Sequence, residues 1–167
     1  MKKLKPLALA ALATAALSVQ AQSSVTLYGV VDAAVEHLSG SGASVTRMPG
    51  LTGGQAPSRL GFRGSEDLGG GLRAIFTLEQ GFGVDNGSLN QGGRAFGRQA
   101  FVGLTAPWGT VSLGRQYSML FWSQLDADIL GPAMFGSGSL DSYLPNARVD
   151  NAIAYRGTFN GFTVGAT

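Results

Sequence analysis

The chain has 167 residues, with 26 glycines, no cysteine, 12 Lys and Arg residues and 10 Asp and Glu residues. The absence of cysteine excludes a disulfide framework and thiolate metal sites. Three of the bases are Lys2, Lys3 and Lys5; without them 9 arginines face 10 acids, which leaves no basic tract to neutralise nucleic-acid phosphates.

The N-terminus has the pattern of an export signal. The lysines precede the apolar run LALAALATAAL, and Ser18-Val19-Gln20-Ala21 follows it with small residues at a cleavage position. A membrane anchor is the alternative, but the run is shorter than the roughly 20 residues that span a bilayer. The sequence therefore predicts a secretory signal at residues 1–21, cleaved after Ala21, and one domain at residues 22–167.

The mature chain opens with alternating strands. The first is predicted from Ser24 to Glu36, and a polar linker follows from Leu38 to Pro57. Residues Ser58 to Phe82 then form a hairpin around the glycine-rich turn Asp67–Gly71, with one apolar and one charged face. Period-two alternation on both sides of a glycine turn is typical of paired antiparallel strands.

Further strands and turns follow in the same pattern, with a long segment between the fifth and sixth strands that has no period of either kind. Long connections follow strands one, three and five, and tight turns follow two, four and six. This asymmetry favours an all-β, antiparallel transmembrane β-barrel, because a soluble sandwich mixes loop lengths at both ends. The later elements are a fourth strand Ala95–Thr105, a turn Ala106–Gly109, a fifth strand Thr110–Gln116, a long segment Tyr117–Ala147, a sixth strand Arg148–Arg156, a turn Gly157–Gly161, and a seventh strand from Phe162.

The charged faces of the strands predict which side meets water. Few of these charges could be buried unpaired in a dry core, so we expect them to line a water-filled lumen while the apolar faces contact outer-membrane lipid. Arg115 has outward parity near the rim, and we expect it to face a neighbouring subunit rather than lipid.

Three arginines are predicted to lie at one height on the lumen wall. Counted from the short turns, Arg59, Arg98 and Arg148 are each about eight or nine residues up their strands. We expect all three to have inward parity and to form a strip of positive charge down one wall of the lumen, where a solute would pass them. The alternative is that they only solvate a polar face. Glu79 reaches the same height on an upward strand and is predicted to anchor a loop by accepting its backbone donors.

The long segment Tyr117–Ala147 is too apolar for a free loop. Structureless loops of more than about 12–15 residues are uncommon unless they are functional. We expect this one to fold into the lumen, which would bring Asp126 and Asp128 towards the arginines. A loop lying outside over a partner subunit is the alternative. The apolar residues of this segment are Phe121, Trp122, Leu125, Ile129, Leu130, Met134 and Phe135.

Four stretches of the chain resemble the general porins of Gram-negative outer membranes, in particular the beta-proteobacterial branch. They are SSVTLYGVVDAAVEH, SRLGFRGSEDLGGGLRAIFTLEQGF, RAFGRQAFVGLTAPWGTVSLGRQYS and NAIAYRGTFNGFTVGA. The resemblance implies a sixteen-stranded barrel, a homotrimer, and a third long loop inside the lumen. It also matches Arg59, Arg98 and Arg148 to the family's arginine cluster, and Asp128 to an acidic loop position.

Two departures from the family pattern bear on selectivity. A second loop acid found in some members has no counterpart near Pro132-Ala133-Met134, and Val30 stands where some members have a wall lysine. Fewer acids opposite the same arginines predict a mild preference for anions among small hydrophilic solutes and ions. Family members are about twice this long, so the chain is interpreted as the N-terminal part of a porin located in the cell outer membrane.

Other functions have less support in the sequence. An enzyme would need a nucleophile and base, but His37 is the single histidine, no serine has a glycine-elbow context, and no phosphate-loop motif is present. Passive diffusion needs no cofactor, metal or catalytic residue, and none is predicted. A non-conducting outer-membrane barrel that serves as an adhesin or anchor remains an alternative, and so does a soluble periplasmic β-domain.

Overall fold

The structure is a computed structural model that describes residues 23–49, 55–129 and 147–167. The predicted signal segment lies outside the described residues, as do Leu130, Met134 and Phe135 of the predicted inward loop. Among the residues it describes, no helix combines the length and the apolar character needed to cross a bilayer. The elements are β1 (Ser24–Val30), β2 (Glu36–Gly40), β3 (Ala43–Arg47), β4 (Arg59–Gly69), β5 (Leu72–Gly81), α1 (Asn90–Gly93), β6 (Gln99–Ala106), β7 (Gly109–Tyr117), α2 (Met119–Ala127), β8 (Arg148–Phe159) and β9 (Phe162–Ala166).

Seven strands form one antiparallel sheet in the order β1-β4-β5-β6-β7-β8-β9. Each strand pairs with the next one of the order through a continuous register, broken only by irregularities at the ends of β4 and β7. Tight turns join β4 to β5, β6 to β7 and β8 to β9, while the other connections are longer. The all-β antiparallel prediction and its alternation of long and short connections are confirmed, with β1 and β9 as the edges of the sheet.

The turn between β4 and β5 shows why the sequence needs glycine there. Gly69, Gly70 and Gly71 have φ values of +84°, +63° and +79°, a backbone conformation that residues with a Cβ atom rarely adopt. The carboxylate of Asp67 accepts a hydrogen bond from the Gly69 N–H at 2.8 Å, which stabilises the start of the turn. The hairpin predicted from Ser58 to Phe82 therefore forms with the predicted turn.

The first strand is shorter than predicted, because β1 ends at Val30 rather than Glu36. At Asp32 the backbone N–H donates to the Ser58 hydroxyl at 2.9 Å, and the carboxylate accepts from the N–H groups of Gln55 and Ala56. These bonds replace a strand ladder and tie the end of β1 to the chain entering β4. Asp32 therefore diverts the backbone from the sheet at this point.

Part of the predicted polar linker is a separate hairpin. Strands β2 and β3 pair with each other in a two-stranded sheet, with Leu38 opposite Val45. The residues of β3 are all exposed. This hairpin has no buried face, which explains why hydrophobic alternation did not reveal it.

The segment predicted to have no periodic structure contains the nine-residue helix α2. Ser118 caps it, since its hydroxyl accepts a hydrogen bond from the Phe121 N–H at 3.2 Å. Phe121 and Ala147 are buried together with Tyr117, and Trp122 and Leu125 pack against them. The described start of the long loop thus lies against the inner face, as predicted, and is helical.

The main sheet has two chemically different faces. Its inner face carries α2 and residues such as Tyr28, Glu79, Gln99 and Ser112, which alternate with the outer set along each strand. Its outer face carries exposed apolar side chains. Examples on five of the seven strands are Leu27, Phe62, Val102, Leu113 and Ile153.

Candidate functional site

Glu79 on β5 is the centre of a polar cluster on the inner face. One carboxylate oxygen, Oε1, accepts a hydrogen bond from Arg98 Nε at 2.7 Å, and the other, Oε2, accepts from the Tyr28 hydroxyl at 2.9 Å. Arg59 Nε lies 3.9 Å from Oε2. The single carboxylate therefore holds two guanidinium groups and a phenol that come from three other parts of the wall.

The register of the sheet brings these groups together. Tyr28 pairs with Gly61, Gly61 with Glu79, and Glu79 with Gln99, so these positions form one row across the inner face. Gly61 has no side chain, and the Tyr28 ring lies over it; a Cβ there would be 2.6 Å from Tyr28 Cζ. Glycine at this position lets the Tyr28 hydroxyl reach across β4 to Glu79.

Arg98 reaches the inner face by a route that the sequence did not predict. It lies one residue before β6, and Gln99 is the residue opposite Glu79, so strand alternation would direct Arg98 outward. Its N–H instead donates to the Glu79 carbonyl at 3.1 Å, and its side chain passes over Gly81. The parity argument was wrong for Arg98, although the side chain lies on the predicted face.

Tyr117, at the end of β7, is a member of the cluster that sequence reasoning missed. Its hydroxyl accepts hydrogen bonds from Arg98 at 2.7 Å and from Arg148 at 3.0 Å. The Arg148 Cζ atom lies 4.6 Å from the centre of the Tyr117 ring, within range of a cation–π contact. A tyrosine at the junction of a strand and an aromatic-rich segment was the available signal.

The three arginines predicted to lie together do so. Arg59 and Arg98 share Glu79, and Arg98 and Arg148 share Tyr117. We call Tyr28, Arg59, Glu79, Arg98, Tyr117 and Arg148 the inner cluster. Arginine stays protonated at neutral pH. The three guanidinium groups of the inner cluster therefore carry fixed positive charge and donate hydrogen bonds, and they do not exchange protons with a solute.

The loop acids have a different geometry from the predicted one. Asp126 faces an arginine of the wall, but that arginine is Arg156, whose guanidinium lies 2.7 Å from the Asp126 carboxylate and 4.7 Å from the Trp122 ring centre. Asp128 follows α2, where its N–H donates to the Leu125 carbonyl at 3.3 Å. The participation of both acids in a constriction stays a prediction.

The loop-anchoring role of Glu79 also stays a prediction. The partners described for its carboxylate are Tyr28, Arg59 and Arg98, which belong to the wall and its rim. Residues 130–146 of the loop, which would supply backbone donors, lie outside the described residues.

A second charged group lies on the outer face at the loop end of the strands. Arg115 pairs across the sheet with Ala100, which places it in the outer row. Its guanidinium donates to Asp150 at 2.6 Å and to the Gly97 carbonyl at 2.7 Å, and Arg94 contacts the same carboxylate at 2.8 Å. We call Arg94, Arg115 and Asp150 the outer cluster. The charge of Arg115 is thus paired within the chain with Asp150, and the prediction that Arg115 faces a neighbouring subunit stays a prediction.

Across the described ranges, no three His, Asp or Glu side chains are close enough to hold a metal ion.

Comparison with known proteins agrees with this geometry. Residues 8–167 match the family described as Gram-negative porin. An outer membrane porin protein of Bordetella pertussis is 37% identical over 176 residues, which cover 95% of this chain and 46% of that protein. Outer membrane porin protein 32 of Delftia acidovorans is 38% identical over 171 residues, with coverages of 95% and 47%.

A solved structure is also similar to the chain. The anion-selective porin from Comamonas acidovorans superposes with a TM-score of 0.68 and 35% identity, covering 86% of this chain and 46% of that one. The chain therefore spans about half the length of the curated relatives it matches. The family match also assigns it to the bacterial outer membrane. With residues 8–167 matched by the family and a similar fold in a solved porin, the chain belongs to the Gram-negative porin family.

Proposed function

We propose that this chain is the N-terminal part of an outer-membrane porin that forms a water-filled channel for small hydrophilic solutes and ions. The observation that carries the proposal is the inner cluster: arginines from three different places along the sheet share acceptors on one face, while the opposite face exposes apolar side chains on most of its strands. Such a wall suits a sheet between water and lipid. Residues 1–21 would be a signal removed after Ala21.

The open sheet supports the need for additional strands. Within the described residues β1 and β9 are edges, and unpaired backbone groups are not tolerated in lipid. The Bordetella and Delftia proteins are about twice as long as the part that this chain matches. We infer that a complete barrel has further strands that close it, that its outer face contacts outer-membrane lipid, and that it assembles as a homotrimer.

We also infer a mild preference for anions. The inner cluster brings together three guanidinium groups and one carboxylate, and the described partner of Asp126 is Arg156 rather than one of these three. Charge on a pore wall adjusts ion selectivity. The structural neighbour from Comamonas acidovorans is described as anion-selective, which supports the same inference for this chain.

Planar-bilayer recording of the full-length protein tests the proposal. We expect stepwise conductance and a reversal potential in a KCl gradient that indicates preference for chloride. The double variant Arg59→Gln with Arg148→Gln should lower the chloride-to-potassium permeability ratio by about twofold or more. Arg47→Gln is the control, because Arg47 lies on the β2–β3 hairpin and pairs there with Glu36.

Three outcomes would each contradict a part of the proposal. A folded, membrane-inserted protein without conductance would favour the non-conducting barrel. A cation preference in the parent protein would overturn the anion preference while leaving the channel itself in place. Extraction of the full-length protein without detergent would contradict the assignment to the membrane.

A further inference from the structure

Tyr117 lies where the wall of the sheet becomes the inward loop. It is the last residue of β7, and the next residue, Ser118, caps helix α2. The Ser118 N–H also donates to the Ala147 carbonyl at 3.0 Å, which ties this junction to the chain entering β8. A change in the position of α2 would therefore move Tyr117 as well.

The hydroxyl of Tyr117 brings two like charges to one point. Arg98 comes from the start of β6 and Arg148 from the start of β8, the strands on either side of β7. Both guanidinium groups donate to the same oxygen, at 2.7 and 3.0 Å. Two cations that share one acceptor repel each other, and the hydrogen bonds to the common oxygen offset part of that repulsion.

Helix α2 fixes the ring that carries this hydroxyl. The Tyr117 ring stacks on the Phe121 ring with centroids 4.3 Å apart and 12° between the planes, and the Trp122 ring meets it edge-on at 5.7 Å. Arg148 lies over the Tyr117 ring as well as at its hydroxyl. Only 7% of Tyr117 is exposed. Its side chain is therefore held by packing and cannot follow the arginines if they move.

The chemistry of the acceptor matters as much as its position. A carboxylate in the place of the phenol would hold two arginines equally well, but it would cancel one of their charges. A tyrosine hydroxyl is neutral and still accepts hydrogen bonds, so it orders the guanidinium groups without adding a negative charge beside them. Glu79 and Tyr117 thus differ in their effect on charge: the Glu79 carboxylate neutralises part of the positive charge of the inner cluster, and the Tyr117 hydroxyl does not.

We propose that Tyr117 is a positioning residue for ion selectivity: its neutral hydroxyl, held by the aromatic face of α2, fixes the Arg98 and Arg148 guanidinium groups at the lumen wall. The inference rests on the proposed channel function and goes beyond it, because it assigns selectivity to a residue without charge. It also links the loop helix to the arginines through one side chain.

Tyr117→Phe in the full-length protein is the direct test. The substitution keeps the ring and its stacking and removes only the oxygen that accepts from both arginines. We expect an assembled, conducting channel whose chloride-to-potassium permeability ratio falls by about half, because the two hydrogen bonds that set the spacing of the guanidinium groups are lost. Tyr155→Phe is the matched control: it removes the same atom where the hydroxyl donates to the Trp108 carbonyl, near a tight turn.

A double-mutant cycle separates positioning from a general structural effect. If Tyr117 acts through Arg148, Tyr117→Phe should change the permeability ratio less in an Arg148→Gln background than in the parent protein. Additive effects, or an unchanged ratio in a folded Tyr117→Phe channel, would overturn the inference. If Tyr117→Phe does not assemble, Phe121→Ala keeps the hydroxyl and removes its stacking partner; an unchanged ratio in that variant would also overturn it.

Measurements on the parent protein distinguish failure of the proposed channel function from failure of the proposed role of Tyr117. A parent protein without conductance contradicts the channel itself. A parent protein that prefers chloride, with a Tyr117→Phe variant of equal preference, contradicts only the role of Tyr117.

Discussion

The inner and outer clusters contain the same chemistry in different surroundings. Arg98 lies 2.7 Å from Glu79, and Arg94 lies 2.8 Å from Asp150. The side chains of the first pair are 7% and 5% exposed, whereas those of the second pair are 51% and 45% exposed. The two ion pairs therefore have nearly equal distances, but the Arg98–Glu79 pair is shielded from water and the Arg94–Asp150 pair is hydrated.

Burial, rather than distance, decides what each pair contributes. Removing one partner of a shielded pair leaves a charge that water cannot reach, while the partner of an exposed pair is simply hydrated. The inner cluster should also resist salt, because screening acts mainly on exposed charges. The comparison predicts a steep order of effects from the inner face to the outer.

The largest effect is expected for Glu79→Ala. Arg98 and Arg59 would lose their shared carboxylate, and the Tyr28 hydroxyl would lose its acceptor. Breaking a buried ion pair from one side costs about 3–5 kcal/mol, and we expect a loss in that range. Urea unfolding of the full-length protein in lipid vesicles, followed by tryptophan fluorescence, measures it. A loss no greater than that of Asp150→Asn would contradict the comparison.

A smaller effect is expected when the space under Tyr28 is filled. In Gly61→Ala the new Cβ would lie 2.6 Å from Tyr28 Cζ, so the ring must move and its bond to Glu79 must lengthen or break. Overpacking of this kind costs about 1–3 kcal/mol. Gly40→Ala is the control, because nothing lies within 4 Å of a Cβ there. Equal unfolding midpoints for the two variants would show that Tyr28 does not need the glycine.

A third effect is expected at the cap of α2, with a local outcome. Ser118→Ala removes the acceptor of the Phe121 N–H, and loss of such a cap costs about 0.5–2 kcal/mol. Hydrogen exchange of the α2 amides should become faster, while exchange in β4 and β5 stays unchanged. Ser123→Ala is the control within the same helix, because that hydroxyl is exposed and donates to the Leu120 carbonyl. Similar exchange in both variants would mean that the cap does not hold the helix.

The sequence predicted best where one face of a strand is forced to differ from the other. In β4 and β5 the period-two pattern is strict, and glycines mark the turn, so both the hairpin and its turn were predicted. The hairpin β2–β3 was missed because it is exposed and nothing imposes alternation on it. Strands that are stabilised only by backbone pairing, with no buried face, are therefore difficult to predict from a sequence.

The helix and the irregular arginine were harder for the same physical reason. Apolar residues occur on all sides of the short helix α2, so its sequence shows little helical periodicity. The N-cap residue Ser118 is the clearest sign in the sequence that a helix begins there. Arg98 lies before its strand begins, and counting residues cannot predict where an irregular backbone points a side chain. The arginine cluster was nevertheless predicted, because Arg59 on β4 and Arg148 on β8 lie at similar heights above their short turns.

The smallest effect is expected for Asp150→Asn in the outer cluster. The carboxylate is half-exposed, and pairs of this kind contribute about 0.2–1 kcal/mol, less at high salt. Arg115 keeps its bond to the Gly97 carbonyl, and it lies at the loop end of its strand, where an outward arginine costs about 0–1 kcal/mol. Urea unfolding of Asp150→Asn and the parent protein at low and high salt measures the difference. A loss of about 2 kcal/mol or more that persists at high salt would mean that another subunit or lipid shields the outer cluster in the assembled protein, and the two clusters would then differ in their surroundings much less than this chain alone indicates.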